Sequence, residues 1–183
     1  FVDVVKAGLT VKSYDVFLAA INFKSPAAHA EALQKAHKEN IGIIAMKTQA
    51  GGYKDAYQGF LSPHQAALRW ILDKDFIDCA IPGMVNMEQV IENTGALEKR
   101  LGWNDRKVLD AYYRAIKDRY CIMCGSCCGT CSRNTAIPTI NRALMYYEGY
   151  SNMQLARSTY CALSQTQRAL TCHTCSLPTC RCV

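Results

Sequence analysis

Three continuous apolar runs punctuate the first half of the chain. Residues 14–22 (YDVFLAAIN), 41–47 (IGIIAMK) and 76–82 (FIDCAIP) have strand length and little polar alternation. Such runs predict strands buried on both faces, as in a parallel sheet. Between them the pattern turns helical. Ser25-Pro26 and Ser62-Pro63 each pair a capping residue with a first-turn proline. They open predicted helices that run to about Asn40 and through HQAALRWILDK. Asn86 opens another, MEQVIENTGALEKR, and a further helix is expected from Asn104 to Tyr120.

The order is strand–helix three times over, with strand starts at residues 14, 41 and 76. This predicts an α/β fold, either a doubly wound sheet or part of a (β/α)8 barrel. No GxGxxG follows the first run, which weakens the dinucleotide-fold version. In both architectures ligands sit beyond the carboxyl ends of the strands. Those ends are Asn22-Phe23-Lys24, then Met46-Lys47-Thr48-Gln49 before the Gly51-Gly52 break, and Pro82-Gly83-Met84-Val85-Asn86. The third leads into a helix start, where free N–H groups suit a phosphate. Polar strand ends and a glycine turn would account for the same residues without a ligand. Cys79 reads as a small buried hydrophobe within its strand. His29, His37 and His64 read as surface positions.

Composition changes the picture near Tyr120. Of 183 residues, 11 are cysteine, and ten of these fall between Cys121 and Cys182. The last 63 residues hold five arginines, no lysine and a single acid, Glu148, within a net charge of +6. This break predicts two modules, residues 1–120 and 121–183. The apolar content of 50% excludes a disordered chain. No apolar run is long enough for a membrane span. Basic residues are too few and too scattered to predict nucleic-acid binding.

Spacing gives the cysteines a chemistry. Cys121, Cys124, Cys127 and Cys131 form C-x2-C-x2-C-x3-C, the run used by bacterial ferredoxins for [4Fe–4S] clusters. Two-residue gaps let a tight loop aim three thiolates at one cubane, and the fourth cysteine goes to the other cluster. A zinc site needs only paired C-x2-C knuckles, and a disulfide scaffold belongs to small secreted domains. The second run holds Cys172, Cys175, Cys180 and Cys182, but Pro178 occupies the third slot of the pattern. Fourth-cysteine exchange would group Cys182 with Cys121, Cys124 and Cys127. It would group Cys131 with Cys172 and Cys175; either Cys180 takes the third position there, or that cluster is three-cysteine, altered or lost. Cys128 and Cys161 are left over. Two short amphipathic helices are expected between the runs.

The segments IIAMKTQAGG, SPHQAALRWILD and IPGMVNMEQVIENTGAL resemble the C-terminal half of an aldo-keto reductase barrel, over roughly residues 1–103. CGSCCGTCSRNTAIPTINRALMYYEGY resembles the ferredoxin-type extension of one bacterial branch of that family, with Ser132 where the branch usually has proline. The resemblance implies a partial (β/α)8 TIM barrel followed by a small α-helical ferredoxin-like iron–sulfur domain. It implies an NAD(P) site with Met46 and Lys47 near the nicotinamide and Gly83, Met84 and Asn86 near the phosphates. Gln89, Glu92 and Asn93 would lie near the adenosine, and Asn22 joins them at the first strand end. Gln89 stands where the family often has the arginine that selects NADP. The family's catalytic tetrad matches nothing in residues 1–183, so the chain reads as a piece of a longer enzyme.

The function expected is therefore an oxidoreductase coupling a nicotinamide site to one or two [4Fe–4S] clusters. It would act on a small carbonyl or alcohol substrate or through a redox partner protein, in the cytoplasm. The alternatives are a non-catalytic electron-transfer or structural iron–sulfur subunit and, more weakly, a zinc-binding interaction module.

Overall fold

In a computed structural model, the described residues are 1–53, 59, 61–117, 119–121 and 125–176. They divide into two compact units, Phe1–Ala50 with Asp55–Ala115, and Gly51–Lys54 with Ile116–Val183.

The first unit is α/β. Helix α1 (Val2–Val11) precedes strand β1 (Val16–Ala20), followed by α2 (Ala27–Lys38), β2 (Gly42–Met46), α3 (Pro63–Leu72), β3 (Cys79–Ile81), α4 (Met87–Thr94) and α5 (Trp103–Ile116). A 3-10 turn, Gly95–Glu98, continues α4. The strands lie in the order β1-β2-β3 and both pairings are parallel. Leu18 faces Ile44, and Ile44 faces Cys79, so these three share one row across the sheet.

Strands and helices arise where the local signals sit, with shorter bounds at the strands. Ser62 caps α3, its hydroxyl accepting from the N–H groups of His64 and Gln65, with Pro63 in the first turn. Ser25 is different. Its hydroxyl accepts from the Asn22 N–H at 3.0 Å instead of capping α2.

The core forms on one face of the sheet. Ala19, Ile21, Ile43 and Ala45 pack with Val5, Leu33, Ala36 and Ile71 from the helices. A second cluster joins Ala66 and Ala67 of α3 to Val108 and Leu109 of α5. Arg69 is buried between them. It meets Asp105 at 2.8 Å and donates to the carbonyls of Ala96 and Gly95.

The expected fold class needs correction. The unit is α/β, but its described residues form an open sheet of three strands, not part of a closed (β/α)8 barrel followed by a clear ferredoxin-like domain. Burial on both faces also fails. Val16, Leu18, Cys79 and Ile81 lie on the other face and are exposed. Local apolar runs specify strand formation and parallel crossover. The number of strands, and closure, depend on what pairs with the edges. Cys79 is thus exposed where a buried thiol was expected.

The second unit is helical over its described residues. Helices α6 (Ile137–Glu148) and α7 (Met153–Cys161) pack together, followed by 3-10 turns at Gln165–Gln167 and Ala169–Thr174. Tyr53 inserts into this unit. Its hydroxyl donates to the Arg119 carbonyl at 2.9 Å, and the Arg119 guanidinium lies 5.0 Å from its ring centre. The neighbouring Gly52 N–H donates to the Gly149 carbonyl at 2.8 Å. No helix among the described residues is long and apolar enough to cross a membrane.

Candidate functional sites

At the carboxyl ends of β1 and β2, one buried side chain organises the backbone. Asn22 donates its amide to the Lys47 carbonyl at 2.9 Å and accepts from the Lys24 N–H at 2.9 Å. Lys47 has a positive φ of 55°, and Ala50 one of 52°. The chain therefore turns sharply as it leaves β2. Such non-glycine conformations persist only where the surroundings impose them. Met46 and Lys47 are half-buried. Thr48 is buried, and its hydroxyl has no hydrogen-bond partner among the described residues.

Hydrogen bonds extend this cluster to α4. Gln49 donates to the buried Asn93 side chain at 2.6 Å. Glu92 accepts the Ser62 hydroxyl proton, its carbonyl accepts from the Gln65 amide at 2.7 Å, and its carboxylate lies 3.7 Å from His64 Nδ1. Sequence reading placed His64 on the surface. Here it is largely enclosed, beside Glu92 and edge-on to Tyr112. The Ser62–Glu92–His64 chain is not a nucleophilic triad, since the serine proton goes to the carboxylate and not to the imidazole.

The loop before α4 is closed on itself. Asn86 accepts from the Gln89 N–H at 2.9 Å, and the Gln89 side chain accepts from the Val85 N–H at 2.8 Å. Met84 and Asn86 are exposed. A Cβ added at Gly83 would meet nothing within 4 Å.

The structure thus brings together Asn22, Met46, Lys47 and, through Gln49, Asn93. The polar groups of Asn22 and Lys47 suit a carboxamide or another small polar head. Glu92, Asn93 and Gln89 are already hydrogen-bonded within the protein. A nucleotide reaching them would have to replace those bonds. The fit to a dinucleotide is therefore good at the strand ends and poor along α4. Thr48 was missed in the sequence, where only its place after Lys47 hinted at a role.

The cysteine loop of the second unit is built from successive turns. The Cys128 N–H donates to the Gly125 carbonyl at 2.9 Å, and the Asn134 N–H to the Cys131 carbonyl at 3.1 Å. Thr130 Oγ1 donates to the Cys127 carbonyl at 3.0 Å. Gly125 and Gly129 have φ of 79° and 68°. A residue in this region reverses the chain within two or three positions, which only glycine does without a steric cost. Those reversals are what closely spaced thiolates around one centre require.

Cys121, Cys127 and Cys131 are half-buried, and Cys128 is exposed. Cys131 is held below the usual thiol range. The Thr135 hydroxyl contributes most, followed by the Thr135 and Arg133 N–H groups. Donor groups beside a thiol favour the thiolate, the form that binds metal. From the second run, Cys172 is exposed and Cys175 half-buried. The Ala136 N–H donates to the Gln167 carbonyl at 2.9 Å. That bond ties the chain just after Cys131 to the chain just before Cys172.

The eight described cysteines are all free of disulfides. Cys124, Cys180 and Cys182 lie outside the described residues. Among the described residues no three Cys, His, Asp or Glu side chains converge on a common point. The donor chemistry and the turns fit an iron–sulfur cluster.

No protein-family model matches the chain, and no curated protein matches it.

Proposed function

We propose that this chain is part of an iron–sulfur oxidoreductase related to the aldo-keto reductases. Its first unit would contribute to a nicotinamide dinucleotide site and its second would hold [4Fe–4S] clusters. The observation that carries this reading is the cysteine run, whose spacing is matched by left-handed glycines at 125 and 129. Cys121, Cys127 and Cys131 would serve as ligands with Cys124, while Cys172, Cys175, Cys180 and Cys182 would come from the second run. The Ala136–Gln167 bond supports grouping Cys131 with Cys172 and Cys175.

Bound clusters supply one-electron transfer at a potential set by burial and by hydrogen bonds to sulfur. The chain's own part is to present thiolates and to orient them. The polar groups of Thr135 and Arg133 near Cys131 favour its charged form. In the first unit, Asn22 holds the Lys47 carbonyl. It thereby fixes the strand-end turn against which the polar head of an NAD(P) molecule would rest. A small carbonyl or alcohol substrate is the expected reactant, and a redox protein the expected electron partner.

A second reading, a non-catalytic electron-transfer or structural iron–sulfur subunit, is favoured by the internal bonding of Glu92, Asn93 and Gln89. One experiment separates these. The full chain is reconstituted anaerobically with iron and sulfide, assayed for both, and titrated with NADH and NADPH. About eight irons per chain indicate two cubanes and about four indicate one. Nucleotide binding weakened by Asn22→Ala supports the enzyme reading. Clusters without nucleotide binding leave the electron-transfer subunit. Zinc without acid-labile sulfide sinks both.

A further inference from the structure

A cleft of about 510 Å³ opens in the first unit. None of its lining residues is assigned above to a cofactor, although Phe23 and Lys24 directly follow Asn22. Its lining is built from the β1–α2 connection and from helices α3 and α5. Phe23, Trp70 and Tyr113 supply aromatic surface, and Leu109, only 4% exposed, supplies an apolar wall. Lys24 and Arg106 also line it. Ligand pockets commonly fall between ~300 and ~1,000 Å³, are lined by apolar and aromatic groups, and carry a few polar groups that set orientation.

The charges give the cleft a preference. Lys24 lies 5.4 Å from the centre of the Tyr113 ring. Arg106 reaches Asp73 only at 3.7 Å, with both side chains largely in water, so this pair holds the guanidinium weakly. Lys74, next to Asp73, sits 4.3 Å from the Trp70 ring centre. Asp110 is the one acid among the described residues of the lining. Cations beside aromatic side chains favour a flat ring that carries a negative group. The ring takes the apolar surface, and the anion accepts from the ammonium and guanidinium.

We propose that this cleft binds a planar aromatic anion, of about two fused rings, with its carboxylate or phosphate between Lys24 and Arg106. The site does not depend on the redox reading of the cysteines or of the strand ends.

The test uses the full chain carrying Trp103→Phe, which leaves Trp70 as its sole tryptophan. 2-Naphthoate and the neutral 2-naphthol are titrated while Trp70 fluorescence is followed. Calorimetry on the unsubstituted chain runs in parallel, so that the result does not rest on the substitution. The expected result is saturable quenching by naphthoate, with naphthol binding about ten-fold more weakly. Lys24→Gln and Arg106→Gln should each weaken naphthoate about five- to ten-fold and leave naphthol unchanged, because loss of one net hydrogen bond at a partly solvated site is of that size. Both positions are solvent-accessible, so the fold survives either change, which circular dichroism checks. Equal affinity for the two probes overturns the proposal. So does naphthoate affinity unchanged in both variants, or quenching that does not saturate by about 10 mM, weaker than ordinary specific binding.

Discussion

The amide of Asn22 donates to the carbonyl oxygen of Lys47 across the ends of two adjacent parallel strands, at 2.9 Å. Asn22 is 5% exposed, and the Lys47 carbonyl, at a residue with φ of 55°, also accepts from the Ala50 N–H at 3.3 Å. Replacing Asn22 by alanine leaves the Lys24 N–H and the Lys47 carbonyl without this side chain. The expected cost is about 1–3 kcal/mol. Urea denaturation monitored by circular dichroism measures it, and a change below ~0.5 kcal/mol would refute the role given to this bond.

Arg69 and Asp105 form a buried pair at 2.8 Å, with side-chain exposures of 8% and 9%. Asp105 also accepts the Gly102 N–H at 2.8 Å, at the start of α5. Arg69→Met should destabilise the first unit by about 3–5 kcal/mol, since it strands a buried carboxylate. The double variant Arg69→Met with Asp105→Leu should recover a good part of that loss. A double-mutant cycle in denaturant gives the coupling directly. Additive losses would show that the pair does not act as one unit.

Gly149 is closed off by its neighbours. A Cβ there would lie 2.7 Å from the Tyr53 ring and 2.9 Å from the Met145 carbonyl oxygen. Its φ of −87° is ordinary, so the constraint is contact and not backbone strain. Gly149→Ala should cost about 1–3 kcal/mol by overpacking. Tyr53→Leu, which removes the opposing ring, should reduce that increment. Thermal melts of the four combinations test this.

The cysteine assignments predict unequal effects within one loop. After anaerobic reconstitution, Cys127→Ser should lower the iron content by about half, and Cys131→Ser likewise, because each removes a ligand from a different cluster. Cys128→Ser should leave iron unchanged. Iron and acid-labile sulfide counts decide it, and loss of iron on replacing Cys128 would reassign the ligands. Stripping the clusters should unfold the second unit and leave helical signal from the first, since metal-ligand energy stands in for a large core in a small domain.

Much of the first unit was legible because its signals are local. Ser62-Pro63 carries a complete capping instruction, and α3 begins there. The apolar runs at 14–22, 41–47 and 76–82 became β1, β2 and β3 in parallel order. Ser25-Pro26 carried the same letters but a different outcome, because the Ser25 hydroxyl was taken by the Asn22 N–H. Nor did composition distinguish His64 from His37. The first is enclosed beside Glu92 and Tyr112, while the second lies near Asp78 with more of its ring in water.

The candidate sites divide along the same line. Cysteine spacing and the glycines among the cysteines were readable directly, because a tight loop is a property of consecutive residues. By itself the sequence determined where helices and strands form, and which thiols lie within a few residues of one another. Tertiary structure alone decided that the sheet of the described residues is open with one apolar face exposed and that Tyr53 belongs to the second unit. It also decided that the side chains of Glu92 and Asn93 are hydrogen-bonded within the protein. The physical reason is range. Caps, turns and periodicity act over three or four residues, whereas strand closure, burial and the partners of a polar group depend on segments tens of residues away.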